Sequence, residues 1–207
     1  MKRIMHIDID AFFASAEISR NKELENKPVG VAVKLSGILS AANYIARKYG
    51  VKAAMHINKA KELCPELICI KADMNFYREL SNNFFSFLDF YLKKNIEIAS
   101  VDECYVDITD ILEQFNNNEN LFVANLKYQI KKEFGLNVSI GISKNKYTAK
   151  LLSDNSKPNG FLSDNKVEVQ DFKIDNMLYI GTDKIKKLND NDIFTIRDFF
   201  DPINEHK

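Results

Sequence analysis

The first apolar run alternates. Met5, Ile7 and Ile9 fall on one side and His6, Asp8 and Asp10 on the other, the period of a strand with one buried face. Asp8 and Asp10 therefore share a face, and Asp10 also suits the N-cap of a helix opening AFFASAEISR, where Phe13, Ala16 and Glu17 recur at helical spacing. Residues 21–72 read as a compact insertion: a short strand in PVGVAVKL, a helical stretch ANYIARKYG that Gly50 stops, and a small helix ending at Pro65. From Asn75 a long helix carries Tyr77, Leu80, Phe84, Phe87, Leu88 and Tyr91 on one stripe, which reads as a packed core face rather than an aromatic ligand box. IEIAS and CYVDIT alternate on either side of Val101, Asp102 and Glu103, the pattern of a hairpin.

The polar stretch NNNEN at 116–120 reads as a loop before a helix over about 121–134. Gly135 stops that helix, and Leu136, Val138, Ile140 and Ile142 then point inward from another strand. With the insertion and one helix set aside, the order is β-α-β-β-α-β. That is the ferredoxin-like plan of an α+β fold, an antiparallel sheet with helices on one face. Residues 175–200 form a separate small helical module.

Composition narrows the class. A chain of 207 residues with 45% hydrophobic residues, 7 Gly and 4 Pro can bury a core without disulfides. Lys plus Arg and Asp plus Glu both number 29, so no bulk charge draws the chain to nucleic acid or membrane, and any such site is a local patch. The three cysteines, Cys64, Cys69 and Cys104, form no CxxC and read as small core residues in a reducing compartment. No apolar stretch suits a secretory signal or a membrane span of about 20 residues. The expectation is a cytoplasmic protein without a membrane partner.

Asp8, at the end of the first strand, can converge with Asp102 and Glu103 at the hairpin tip if the two strands are neighbours. Three carboxylates at one end of a sheet repel unless protonated, separated or neutralised, and a hard divalent cation such as magnesium is a natural partner. His6, His56 and His206 are too scattered for a histidine-rich zinc site. The carboxylates alone are equally compatible with cap and turn roles. Cations shift the balance: Tyr44, Arg47 and Lys48 share a helical face, and Lys144, Lys146, Lys150 and Lys157 cluster near a helix ending at KPNG, as phosphate recognition would require.

Four segments, MHIDIDAFFASAE, ILSAANYIARKYGVKAAM, SVDECYVDITD and GISKNKYTAKLLSDNSKPNGF, resemble in order and spacing the Y-family translesion DNA polymerases, above all the DinB or DNA polymerase IV branch. The resemblance is strong over residues 1–163 and weak beyond. It implies a catalytic palm from 1–20 and 73–163, fingers at 21–72, and a partial thumb at 164–207, with the C-terminal little-finger domain absent. It further implies two Mg2+ ions held by Asp8, Asp102, Glu103 and the backbone carbonyl of Ile9. Tyr44, Arg47 and Lys157 would hold the triphosphate, with the backbone of Phe12 and Phe13 beneath it. Phe13 would be the steric gate against ribose. The reaction would be attack of a primer 3′-hydroxyl on the α-phosphate of a dNTP.

Primer–template DNA and dNTP are then the expected partners of a monomer, with any sliding clamp reached through regions outside this sequence. DNA binding by this part alone should be weak and salt-sensitive, since phosphate affinity grows with surplus Lys and Arg. Two departures from the family pattern stand out: Met55-His56 where Met-Pro is usual, and Leu178-Tyr179-Ile180-Gly181 where the thumb hairpin usually reads Pro-Gly-Ile-Gly. Two competing readings are a non-catalytic DNA- or partner-binding fragment that keeps the polymerase site, and a palm-type nucleotidyl cyclase, against which Tyr44 and Arg47 argue.

Overall fold

Strand β1 (Ile4–Ile9) is buried at all six positions, not only on the apolar side that its alternation predicts. Met5, Ile7 and Ile9 enter the main core. His6 is wholly buried and Asp8 is 6% exposed, so something covers the other side as well. The computed structural model in which this is seen describes residues 1–200, so residues 201–207 of the expected thumb lie outside the described residues.

The turn after β1 also differs from expectation. Ala11, in the left-handed region at φ 47, occupies the N-cap of α1 (Phe12–Arg20) without a side-chain cap. Asp10 instead turns inward and accepts hydrogen bonds from Ser139 Oγ at 2.8 Å and the Asn159 N–H at 2.6 Å. A carboxylate that is 3% exposed needs hydrogen-bond donors, and these two supply them.

Residues 21–72 build a small unit of their own. β2 (Val29–Ala32), β3 (Ala41–Ala42), α2 (Tyr44–Lys48), α3 (Ile57–Leu63) and β4 (Ile68–Lys71) form a three-stranded sheet ordered β3-β2-β4 with helices attached. A second core cluster, including Leu39, Ala46, Val51, Ile57 and Leu67, holds it together. Asn43 caps α2 through the Ala46 N–H, and Gly50 at φ +86 ends the segment as its sequence predicts. His56, in place of the usual proline, caps α3 by accepting from the Asn58 N–H at 3.3 Å.

Helix α4 (Met74–Leu92) buries Tyr77, Phe84 and Leu88 from the predicted stripe, while Leu80, Phe87 and Tyr91 pack half-buried at its border. The expected hairpin follows as β5 (Glu97–Ile98) and β6 (Glu103–Asp107). After α5 (Thr109–Glu113), helix α6 (Glu119–Phe134) starts inside NNNEN. Asn118 caps it by accepting from Leu121, and buried Glu119 pairs with Arg3 Nε at 2.8 Å, so this stretch is a helix start rather than only a loop. β7 (Val138–Ser143), α7 (Lys146–Asn155) and β8 (Phe161–Ser163) complete the main unit. Short 3-10 turns, α8 (Thr182–Asn189) and α9 (Ile196–Phe200) follow.

The large sheet runs β5-β6-β1-β7-β8. Its first four strands pair antiparallel, as the ferredoxin-like order requires, and β8 joins β7 in parallel. A parallel neighbour can be reached only by a crossover, and α7 is that crossover. It lies on the face opposite α4 and α6, so the α+β expectation holds but the helices are not confined to one face. His6 is in register with Gly141 and Tyr105, so the three share this face, and His6 Nδ1 meets Ser153 Oγ of α7 at 2.6 Å. This is what buries the polar side of β1. Among the described residues no helix is long and apolar enough to cross a membrane. The three cysteines are free, with Cys64 and Cys104 buried.

Candidate active site

Where β1 ends, its last residues, the turn into α1 and the small sheet enclose a cleft of about 190 Å³. Asp8, Ile9 and Asp102 line one side, and Tyr44 and Arg47 the other. Phe12 and Phe13 line it from the start of α1, and Lys157 reaches in from the loop after α7. Every residue to which the family resemblance gives a site role, Glu103 excepted, therefore meets in one cavity. Glu103 pairs with Asp8 across β6 and β1, next to the cleft. Ser40, Ala41 and Ala53 line it too, and small side chains there leave room.

Backbone pairing sets the carboxylates. The Ile9 N–H donates to the Asp102 carbonyl at 2.9 Å, which fixes the hairpin tip beside the end of β1 whatever side chain residue 102 carries. Asp102 Oδ1 accepts from Ser100 Oγ at 2.6 Å. Asp8 Oδ2 accepts from Lys157 Nζ at 2.7 Å, and the same ammonium reaches Asp154 at 3.0 Å. Glu103 Oε2 takes Lys150 Nζ at 2.5 Å and stands 3.3 Å from His6 Nε2.

Charge follows from this geometry. Burial pushes the Asp8 carboxyl up to about 7 against the pull of Lys157, and the nearby Asp102 charge adds to the rise. Burial works against the Lys157 ammonium, yet Asp8 and Asp154 outweigh it and raise that group. The neighbouring His6 imidazole holds Glu103 down to about 2, burial opposes, and Lys150 adds to the lowering. Burial in turn lowers His6.

The opposite wall is built for an anion. Arg47 stacks its guanidinium over Tyr44 at 4.6 Å and donates Nε to the Ala42 carbonyl at 2.9 Å, an anchorage that holds the planar fork beside the cleft. Lys157 is placed by its loop: Asp10 holds the Asn159 N–H, and Lys127 Nζ donates to the Asn159 carbonyl at 2.5 Å. Phe13 stacks on Tyr77, centroids 4.7 Å apart and planes at 20°, and the Tyr77 hydroxyl donates to Glu17 at 2.6 Å. The ring that faces the cleft is thus backed by a second, tethered ring.

Of the predicted lysine cluster only Lys157 lines the cleft. Lys150 serves Glu103 and Lys146 pairs with Glu97. Sequence reading also missed what holds the site in place: His6 and Ser153 behind Glu103, Ser100 on Asp102, Asp154 between two lysines, and Asp10 on the Lys157 loop. Of these, His6 and Asp10 carried a signal, since the alternation of β1 put both on the face of Asp8.

The donor set suits a hard cation. Among the described residues no group of three or more His, Cys, Asp or Glu is gathered as a ready metal cluster, because Asp8 and Glu103 each turn to a lysine. Yet Asp8 and Asp102 line one cleft, near enough that the Asp102 charge adds to the rise that burial gives Asp8, and the side-chain donors they offer are carboxylate oxygens. Those features fit magnesium.

Comparison with known proteins follows the same residues. The impB/mucB/samB family model matches residues 7–154. A DNA polymerase IV of Ureaplasma parvum serovar 3 is 41% identical over 212 residues, covering 100% of this chain and 59% of its own length. One of Fusobacterium nucleatum subsp. nucleatum is 38% identical, covering 95% and 56%. Among solved structures, DinB from Sulfolobus solfataricus superposes with a TM-score of 0.86 at 34% identity, over 97% of this chain and 60% of that one. An insertion ternary complex of Dbh DNA polymerase gives 0.85 at 32% identity, over 97% and 60%. The chain thus spans 59% of the length of the first of these relatives.

Proposed function

Because this chain belongs to the impB/mucB/samB family, we propose that it is the catalytic part of a translesion DNA polymerase, extending a primer by template-directed transfer of nucleotides from dNTP. The observation that carries the reading is the shared cleft, lined by the carboxylates of Asp8 and Asp102, the Tyr44–Arg47 pair and Phe13. In this reading residues 1–20 and 73–163 are the palm, 21–72 the fingers and 164–207 part of the thumb.

Members of the family generally use divalent metal ions. Two Mg2+ ions held by Asp8, Asp102, Glu103 and the Ile9 carbonyl would supply activation of the primer hydroxyl and stabilisation of the phosphate charge. The chain's own residues do the rest. Arg47 and Tyr44 bind the triphosphate from the fingers side, and Lys157 adds positive charge from the palm. Phe13 orients the sugar by occupying the space beside C2′. As the reaction places phosphate oxygens in the cleft, Lys157 can exchange Asp8 for phosphate while staying paired with Asp154.

The test is extension of a labelled primer–template at low salt with Mg2+ and single dNTPs. Template-dependent addition supports the reading. Binding of the duplex without extension would favour a non-catalytic fragment, and a product formed from NTPs alone would favour a cyclase.

Phe13→Val is expected to raise incorporation of ribonucleotides relative to deoxyribonucleotides. Forcing an extra hydroxyl against a packed ring costs about 1–3 kcal/mol, so relieving it should shift selectivity by roughly 10- to 100-fold. Tyr77 stays behind the gap, so the cleft widens without collapsing. An unchanged dNTP to NTP preference in single-nucleotide extension would count against the gate.

A further inference from the structure

Beneath Glu103, on the face of the sheet covered by α7, lies a ring that the reaction as described does not use. His6 is wholly buried, packed against Tyr105 with centroids 4.6 Å apart. Its Nδ1 lies 2.6 Å from Ser153 Oγ. Its Nε2 is buried and has no fully aligned hydrogen-bond partner among the described residues; the Glu103 Oε2 atom, at 3.3 Å, is the acceptor it faces. A buried ring N–H left without a partner is unfavourable, so an arrangement that tolerates it calls for a reason.

The tautomer turns on where the Ser153 hydroxyl proton goes. Ser153 Oγ has one proton and two acceptors in reach, His6 Nδ1 and the Lys150 carbonyl at 2.8 Å. That carbonyl lies inside α7, where the N–H four residues on is its ordinary partner. Donation from Ser153 to Nδ1 in place of that carbonyl would leave the ring hydrogen on Nε2, aimed at the Glu103 carboxylate, whereas the other tautomer would set the Nε2 lone pair against it.

We propose that His6 is a positioning residue for Glu103: Ser153 fixes the ring, the ring N–H and Lys150 both engage Oε2, and the carboxylate is thereby held with Oε1 uncommitted for the divalent cation or the primer hydroxyl. Among the described residues both contacts to Glu103 fall on Oε2 and none on Oε1. Helix α7 supplies both holds, Lys150 directly and Ser153 through the ring. The inference rests on the polymerase reading for what Oε1 meets, but the His6–Glu103 contact itself does not.

Three substitutions separate the roles. His6→Phe keeps ring volume without either nitrogen, His6→Gln keeps a donor at the Nε2 position, and His6→Asn keeps only a group at the Nδ1 position. Loss of a residue that orients a metal ligand typically lowers metal affinity or activity by about 10- to 100-fold. His6→Phe should therefore weaken Mn2+ binding, read by electron paramagnetic resonance with the metal alone, and lower kcat by that factor, while KM for dNTP stays within about twofold. His6→Gln should recover most of both losses and His6→Asn little. Ser153→Ala, which leaves Glu103 and His6 in place, should move both readouts the same way by less. Imidazole 15N shifts of the unaltered protein should show the hydrogen on Nε2.

Equal behaviour of the Phe and Gln variants, or a hydrogen on Nδ1, overturns the proposal. If the unaltered chain neither binds Mn2+ nor extends a primer, it is the polymerase reading that fails, and the 15N shifts still decide the His6–Glu103 contact.

Discussion

Asp102→Ala is expected to lower primer extension by about 10³-fold while leaving the fold intact. Divalent ions contribute several kcal/mol of transition-state stabilisation in such sites, and about 4 kcal/mol corresponds to three decades in rate. The substitution is clean for a structural reason. The contact that positions the hairpin tip is made by the Asp102 carbonyl, which receives the Ile9 N–H, and alanine keeps it. Among the described residues the side chain's one hydrogen-bond partner is Ser100 Oγ, itself half-buried and able to turn to water. A melting temperature within a few degrees of the unaltered protein, on the scale of ~1 kcal/mol for one lost hydrogen bond, should accompany the lost activity. Asp8→Ala would be a poorer choice, because it strips a partner from Lys157 and mixes a charge defect with the loss of a ligand. Retention of more than a tenth of the activity in single-turnover extension would remove Asp102 from the catalytic set.

Much of this was legible in the chain. The alternation about Asp8, the hairpin around Asp102 and the Gly50 stop follow from local periodicity and turn chemistry, and these place the carboxylates and the Tyr44–Arg47 helix. What escaped was set by tertiary contact. The alternation of β1 correctly divides its two faces but says nothing of α7 arriving on the polar one, so burial of His6 and Asp8 came as a departure. Asp10 has the residue type and position of a helix cap, yet a deeper demand from Ser139 and Asn159 claims it. The lysines before and within α7 looked alike in sequence; only the path of the loop after α7 decides that Lys157 enters the cleft while Lys150 neutralises Glu103.

Gly141→Ala is expected to be among the most damaging substitutions in the chain, although the sequence LNVSIGI gives it no prominence. A Cβ at residue 141 would stand 2.0 Å from the Ala149 carbonyl oxygen and 2.5 Å from the Ser153 nitrogen, both backbone atoms of α7 that cannot rotate aside. Glycine within a strand often marks such a close approach of another backbone. Replacing glycine by alanine at an unstrained position stabilises by about 0.4–1 kcal/mol through the unfolded chain, but overpacking here works in the other direction and is larger. A loss of at least ~3 kcal/mol is expected, roughly a 10 °C fall in melting temperature for a chain of this size. Gly181→Ala is the control, since its Cβ would meet nothing within 4 Å and should leave the melting temperature nearly unchanged. The functional consequence runs through α7. Lifting the helix off β7 withdraws Ser153 from His6 and Lys150 from Glu103, and displaces the loop that carries Lys157 to Asp8. Primer extension should therefore stay depressed even at temperatures where the Gly141→Ala protein is still folded by circular dichroism. Full activity at such a temperature would show that α7 is not what holds the site together.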